Sequence, residues 1–178
     1  PLTRVAATSG NYNNEIGVPL TLLSITPETE VCVSELAMRG HGQIRELARL
    51  TRPDVGVITN IAPVHLELVG DLAGVAAAKA ELVEELGAGS VVVPAGEPLL
   101  APYLARYRGR VVTFSEQRGD IALVEMEREG DGTRAVVDAY GTVLNDYRDR
   151  AIGRAAPERP WAVYLAGADR RFRLLAFD

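Results

Sequence analysis

The 178-residue sequence has one cysteine, one lysine and no long apolar segment. Because Cys32 has no second thiol to pair with, an intramolecular disulfide is impossible, and a reducing, cytoplasmic location is expected. No stretch approaches the roughly 20 apolar residues that cross a bilayer, so membrane insertion is not expected. The net charge is −5, and no basic stripe alternates with aromatic side chains, which argues against nucleic-acid binding.

What the chain does contain is enough apolar material for a packed core. Hydrophobic residues make up 47% of the sequence and charged residues 24%, which fits one domain of ordinary size. Cys32 lies in the apolar run Val31-Cys32-Val33, so a buried structural thiol is expected rather than a catalytic one.

Short apolar runs alternate with amphipathic stretches as far as about residue 115. Helices are predicted at 16–23, with an interruption at Pro19, and then at 42–51, 72–86 and 98–107. Strands are predicted between them, at 4–8, 31–36, 55–59, 91–93 and 110–114. This alternation predicts an α/β fold with a mostly parallel sheet, right-handed crossovers and helices on both faces.

The pattern changes after about residue 115. Segments 121–127 and 134–138 flank a glycine-rich turn and predict a small antiparallel hairpin. Beyond about residue 145 the chain is rich in arginine and alanine with weak periodicity, and no element is predicted there. We therefore expect a domain at 1–144 and an unassigned tail at 145–178.

Polar residues follow three of the predicted strands, at positions that the neighbouring sequence does not require. Parallel sheets bind ligands beyond the carboxyl ends of their strands, so these side chains are candidates for a site. Glu35 is either a strand-end carboxylate that reaches solvent or caps the loop at Gly40, or a Mg²⁺ ligand. The complete set comprises Asn11, Asn13, Asn14, Glu35, Asn60 and His65.

Lys79 interrupts the apolar stripe of the helix predicted at 72–86. A lysine in that position extends to solvent, pairs with a carboxylate or is chemically modified. Burial would lower the affinity of its amine for a proton, and a neutral amine reacts with CO₂ to give a carbamate.

Three segments resemble the central, ATP-binding domain of the Mur ligases, in particular those of the MurF type. They are TSGNYNNEIGVPLTLL (8–23), ELAMRGHGQIRELARLTRPDVGVITNIAPVHLE (35–67) and GDLAGVAAAKAELVEEL (70–86), in the order and spacing of that family. The strong resemblance covers about residues 3–115, and a weaker one continues to about residue 144.

The resemblance implies an ATP-dependent ligase of peptidoglycan synthesis. Such an enzyme phosphorylates the carboxyl end of UDP-N-acetylmuramoyl-tripeptide, and the amine of D-alanyl-D-alanine attacks the acyl-phosphate. By the same resemblance, Glu35 and His65 are Mg²⁺ ligands, and Lys79 carries a carbamate that supports a second Mg²⁺. Asn11 is expected near the nucleotide phosphates and Asn60 near the acyl-phosphate. We expect Lys79→Ala to abolish ligation in the intact parent enzyme while leaving the fold stable.

The chain also departs from the family pattern. No G-x-x-x-x-G-K-S/T string, the loop that cradles nucleotide phosphates, occurs in its 178 residues. We therefore expect a fragment of a larger enzyme or the product of a disrupted gene, which does not ligate by itself. The alternatives are another ligase of the superfamily, similar to folylpolyglutamate synthase, and a non-catalytic binding or assembly module that keeps the fold.

Overall fold

The computed structural model describes residues 4–129, 132–140, 142–149 and 174–176. Within these residues the helices are α1 (Gly17–Leu23), α2 (Gln43–Thr51), α3 (Leu66–Val69), α4 (Leu72–Glu85) and α5 (Ala101–Leu104). The strands are β1 (Val5–Ala7), β2 (Val31–Glu35), β3 (Val55–Val57), β4 (Ser90–Pro94), β5 (Arg110–Ser115), β6 (Ile121–Glu129), β7 (Gly132–Ala139), β8 (Thr142–Asp149) and β9 (Leu174–Ala176).

These strands form one sheet in the order β1-β2-β9-β3-β4-β5-β6-β7-β8. Every pairing from β1 through to β6 is parallel, whereas β6 pairs with β7, and β7 with β8, in antiparallel fashion. The predicted mostly parallel α/β fold is therefore confirmed, with the antiparallel hairpin after residue 115. The hairpin is longer than predicted, because β8 adds a third antiparallel strand.

The helices of the described chain form one layer. Helix α2 packs on α1 and α4, and α4 also contacts α3 and α5. Each crossover from β1 to β5 steps in the same direction along the sheet, so right-handed connections place all of these helices on one face. The buried group on the second face contains strand residues only, so within the described residues the helices predicted on both faces are found on one face.

Two groups of buried side chains correspond to the two faces of the sheet. The larger group joins helix residues to the strands and includes Leu36, Ile58 and Leu82, which are almost completely buried. The smaller group contains residues of the strands, among them Val57 and Val92. Cys32 is buried, as its apolar surroundings predicted.

Helix α1 runs through Pro19 without the interruption that we predicted. Pro19 is the third residue of the helix, and the first turn of a helix needs no backbone donor at that point. Ahead of the helix, the Oδ1 of Asn14 accepts hydrogen bonds from the amides of Ile16 and Gly17 at 3.1 and 3.0 Å. This capping fixes the loop between β1 and α1, which carries the candidate asparagines.

Helix α4 has the boundaries that its sequence predicts. The side chain of Asp71 accepts a hydrogen bond from the amide of Gly74 at 2.8 Å, and Gly87 beyond the helix has a φ of +60°. Its buried positions extend around most of the helix and include two charged residues, Lys79 and Glu81. No helix among the described residues has the length and apolarity needed to span a membrane.

Helix α5 is shorter than predicted, and α3 was not predicted at all. After α5 the chain continues in tighter turns, in which the amides of Arg106 and Tyr107 bond three residues back. Helix α3 has four residues, too few for a periodic pattern to be visible in the sequence.

Candidate active site

The predicted site residues lie at the carboxyl ends of β2 and β3. These strands run parallel, because each pairs in parallel with β9. Glu35 is the last residue of β2, and Asn60 and His65 follow β3, so the backbone carries all three to the same edge of the sheet. The loop after β1 reaches this edge as well, since the carbonyl of Asn13 accepts a hydrogen bond from the amide of Ala37 at 2.8 Å.

Glu35 is half-buried and is held at two points. The Nδ2 of Asn13 donates a hydrogen bond to Glu35 Oε1 at 2.6 Å, and the Glu35 amide donates to Thr8 Oγ1 at 2.9 Å. A short hydrogen bond from a neutral amide to a carboxylate is favourable and directional. The Glu35 carboxylate is therefore oriented by a neighbouring loop and does not extend freely into solvent.

Lys79 is buried, with 2% of its surface exposed. Its Nζ donates hydrogen bonds to the backbone carbonyl of Asn60 at 3.0 Å and to Asn60 Oδ1 at 3.3 Å. The alternative in which this side chain extends to solvent is therefore wrong, because the loop after β3 covers the middle of α4. Lys79 and Asn60 were both expected to take part in the reaction, and they are in direct contact.

The same burial corrects the expectation that Lys79→Ala leaves the fold stable. Removing the side chain would create a cavity and leave the oxygens of Asn60 without the donor that they have here. A stability cost is therefore expected in addition to any effect on chemistry.

His65 adopts a left-handed backbone conformation, with a φ of +50°, immediately before α3. Its side chain is exposed, and its Nδ1 lies 3.7 Å from Glu67 Oε1. Histidine is more frequent in this conformation than most residues, and such positions are common at functional sites. Its convergence with Glu35 on a metal ion stays a prediction, and so does the contact of the exposed Asn11 with a nucleotide.

A magnesium ion fits the chemistry of the donors at this edge. Glu35 offers carboxylate oxygens, and Mg²⁺ in phosphate-handling sites is typically held by one or two carboxylates together with waters and substrate phosphates. In the part of the chain that the structure describes, no three His, Cys, Asp or Glu side chains gather around one point.

Glu81 was not identified from the sequence as part of this region. It is buried, and its two carboxylate oxygens accept hydrogen bonds from the amides of Gly42 and Arg45 at 2.6 and 3.1 Å. A carboxylate from α4 thus caps the first turn of α2, which has no cap of its own. One feature of the sequence could have indicated that Glu81 is buried: it lies two residues beyond Lys79, inside a helix that is mostly apolar.

Comparisons with known proteins agree with this geometry. The family model described as the Mur ligase middle domain matches residues 2–153. The UDP-N-acetylmuramoyl-tripeptide--D-alanyl-D-alanine ligase of Bacillus subtilis (strain 168) is 45% identical over 167 residues, which are 93% of this chain and 35% of the relative. The chain thus spans about a third of the length of this relative.

Solved structures give the same result. MurF from Acinetobacter baumannii superposes with a TM-score of 0.71 and 28% identity, over 80% of this chain and 32% of that one. MurF ligase from Thermotoga maritima in complex with ADP gives 0.68 and 28%, over 79% of this chain and 33% of that one. A mutant of L. casei FPGS reaches 0.54 at 20% identity over 66% of this chain and 28% of that one, a likeness of fold alone. The match over residues 2–153, together with the mostly parallel sheet, establishes that this chain belongs to the Mur ligase middle-domain family.

Proposed function

We propose that this chain is the middle-domain part of an ATP-dependent ligase that adds D-alanyl-D-alanine to UDP-N-acetylmuramoyl-tripeptide. The observation that carries the proposal is the pair of contacts at the sheet edge, Asn13 with Glu35 and Lys79 with Asn60. The reaction class needs divalent cations and positioned polar groups, because phosphoryl transfer is promoted mainly by positioning and charge stabilisation. The similarity to ligases of this name supports the choice of substrates.

In this proposal Glu35 and His65 hold Mg²⁺, which would neutralise charge on the transferred phosphoryl group. Asn60 lies at the acyl-phosphate, and Lys79 anchors the Asn60 loop through two hydrogen bonds. Asn11 lies at the nucleotide. A carbamate on Lys79 would supply an oxygen ligand for a second cation from the same buried position.

The rival from the same superfamily is a folylpolyglutamate synthase-like ligase. Its support is a likeness of fold at 20% identity, whereas the D-alanyl-D-alanine ligase of B. subtilis is 45% identical over 93% of the chain. The higher identity therefore favours D-alanyl-D-alanine as the substrate. A non-catalytic module would have no need for a buried lysine that holds the Asn60 loop.

The phosphate-cradling loop does not occur in these 178 residues, so the chain alone should bind nucleotide weakly. Isothermal titration calorimetry with Mg²⁺-ATP should give a dissociation constant no tighter than millimolar, as expected from a few polar contacts. Micromolar binding would show that other residues of the chain cradle the phosphates.

A chimera tests the function itself. The aligned 167-residue stretch of this chain replaces its counterpart in the B. subtilis ligase, which supplies the remaining length. We expect ATP-dependent ligation of D-alanyl-D-alanine to the tripeptide, and a loss of at least about 100-fold for Glu35→Gln, the order expected when a group that positions a reacting phosphoryl is removed. Glu84→Gln, on the exposed side of α4, is the matched control and should retain activity. A folded chimera that ligates equally well with Glu35→Gln would refute the assignment.

The carbamate has a test of its own, because Lys79 is the sole lysine of the sequence. With ¹³C-bicarbonate, the folded chain should give a carbamate resonance that disappears in Lys79→Arg. The N-terminal amine is the other amine that can react, and it is unchanged in that variant. A resonance that persists in Lys79→Arg would place the carbamate elsewhere.

A further inference from the structure

We propose that Asn13 is a positioning residue, which orients the Glu35 carboxylate for a divalent cation before the cation binds. The inference rests on the proposed role of Glu35 as a metal ligand and extends it to a second residue. Its basis is the 2.6 Å hydrogen bond from Asn13 Nδ2 to Glu35 Oε1.

The backbone around Asn13 makes this contact more than a chance meeting of two side chains. The Asn13 carbonyl accepts a hydrogen bond from the amide of Ala37 at 2.8 Å, and the Asn13 amide donates to the carbonyl of Asn11 at 2.9 Å. Asn13 therefore holds the chain on both sides of residue 36, through its side chain at Glu35 and through its carbonyl at Ala37.

Glu35 is fixed from the other side by Thr8, the residue that follows β1. The Glu35 amide donates to Thr8 Oγ1 at 2.9 Å, and the amide of Thr8 donates to the carbonyl of Val33 at 3.0 Å. Since both ends of the Asn13–Glu35 contact are anchored in the backbone, the carboxylate cannot rotate without breaking the hydrogen bond. A ligand held in this way loses little conformational freedom on binding a cation.

The neighbouring Asn14 provides the matched control. Its side chain caps α1 through the amides of Ile16 and Gly17. Asn13 and Asn14 are thus the same residue type in the same loop, one facing the candidate ligand and one supporting a helix. A merely structural loop would respond alike to both substitutions.

The test uses the full 178-residue chain, labelled with ¹⁵N and titrated with Mn²⁺ while the amide resonances of Leu36 and Ala37 are followed. Mn²⁺ broadens nearby resonances and takes the same oxygen ligands as Mg²⁺. We expect broadening at millimolar Mn²⁺ in the wild type and its loss in Glu35→Gln. In Asn13→Ala the concentration for half-maximal broadening should rise about tenfold, the usual effect of removing a group that orients a metal ligand.

Asn14→Ala should lower the Tm but leave the Mn²⁺ dependence unchanged. Asn13→Leu, which keeps the side-chain size without a donor, repeats the test if the alanine variant does not fold. An Mn²⁺ dependence in the folded Asn13 variant equal to that of the wild type would overturn the positioning role. If the broadening persists in Glu35→Gln, or if the wild type shows no broadening, Glu35 is not a metal ligand. Either result would refute this inference together with the proposed role of Glu35.

Discussion

At the scale of single residues, Lys79 shows how an amine is accommodated between a helix and a loop of an α/β fold. Its amine is removed from water, and the two oxygens of Asn60 replace the lost hydration. The sequence identified this position because a lysine interrupts an otherwise apolar stripe. It did not identify the partner, because Asn60 is 19 residues away and joins Lys79 through a turn of the chain that no local pattern describes.

The contact between Lys79 and Asn60 predicts that Lys79 contributes to the stability of the fold. Lys79→Ala should lower the free energy of unfolding by about 2 kcal/mol, because it leaves a cavity and removes the donor from two oxygens of the half-buried Asn60. Urea unfolding of the full chain measures the difference. Arg39→Ala, at an exposed position, is the control and should change stability by less than about 0.5 kcal/mol. Equal effects of the two substitutions would mean that Lys79 is solvated after all.

The hydrogen bonds of Asp120 predict that its contribution to stability depends on pH. Hydrogen bonds from the amide and Oγ1 of Thr113, at 2.8 and 2.9 Å, hold the pKa of Asp120 below its ordinary value of 3.8. Because the folded pKa is depressed, the charged form stabilises the fold above pH 3.8, and this stabilisation is lost as the pH falls through the folded value. The difference in unfolding free energy between the wild type and Asp120→Asn should therefore be largest near neutral pH and shrink in acid. A difference that does not vary with pH would exclude this cause.

At the scale of elements, the helices depend on residues outside themselves for their boundaries. Asp71 caps α4 from the adjacent position, which the sequence predicts, whereas Glu81 caps α2 from another helix, which it cannot. A cap within four residues leaves a recognisable spacing. A cap that reaches across 39 residues leaves none, because its position depends on how α2 and α4 pack.

Glu81→Ala should therefore destabilise the chain by about 2 kcal/mol, since two amides of the α2 first turn lose their acceptor in a buried place. Chemical denaturation measures the effect. Glu84→Ala is the control, because Glu84 forms an exposed ion pair with Arg45 that is worth less than about 1 kcal/mol. If Glu84→Ala cost as much as Glu81→Ala, the cap would not be the source of the stability.

Gly17 joins α1 to the asparagine loop. A Cβ at this position would overlap the backbone carbonyl of Tyr12, whereas one at Gly40 would meet open space. Alanine is the better helix former by about 1 kcal/mol, yet backbone overlap typically costs about 1–3 kcal/mol, so the clash should prevail. We expect Gly17→Ala to lower the Tm and Gly40→Ala to leave it nearly unchanged. A higher Tm for Gly17→Ala would mean that the loop at Tyr12 moves away from the added Cβ and avoids the overlap.

At the scale of the whole molecule, the sheet is completed at its centre by a strand from a distant part of the sequence. Local patterns predicted β1 to β5, because each lies between turns and amphipathic helices. They could not predict β9, since three apolar residues carry no periodicity and their pairing with β2 and β3 is non-local. The expected boundary at residue 144 stays a prediction, and the remainder of the expected tail, apart from β8 and β9, lies outside the described residues.

The position of β9 predicts that residues 174–178 are needed for cooperative folding. Without them β2 and β3 lose the strand with which both pair, and their amides and carbonyls become unpaired at the centre of the sheet. A chain that ends at residue 173 should unfold at lower urea with a broader transition. Removal of residues 177–178 alone is the control, and equal unfolding curves for both chains would show that β9 adds nothing.

The central claim is that the sheet edge near Glu35 binds the catalytic cation. The most direct measurement is a crystal structure of the B. subtilis chimera with Mn²⁺ and ADP, in which anomalous scattering locates the metal. We predict a peak about 2.2 Å from an oxygen of Glu35 and within the same distance of a His65 nitrogen. A peak bound by other residues, or one that remains unchanged in Glu35→Gln, would contradict the account.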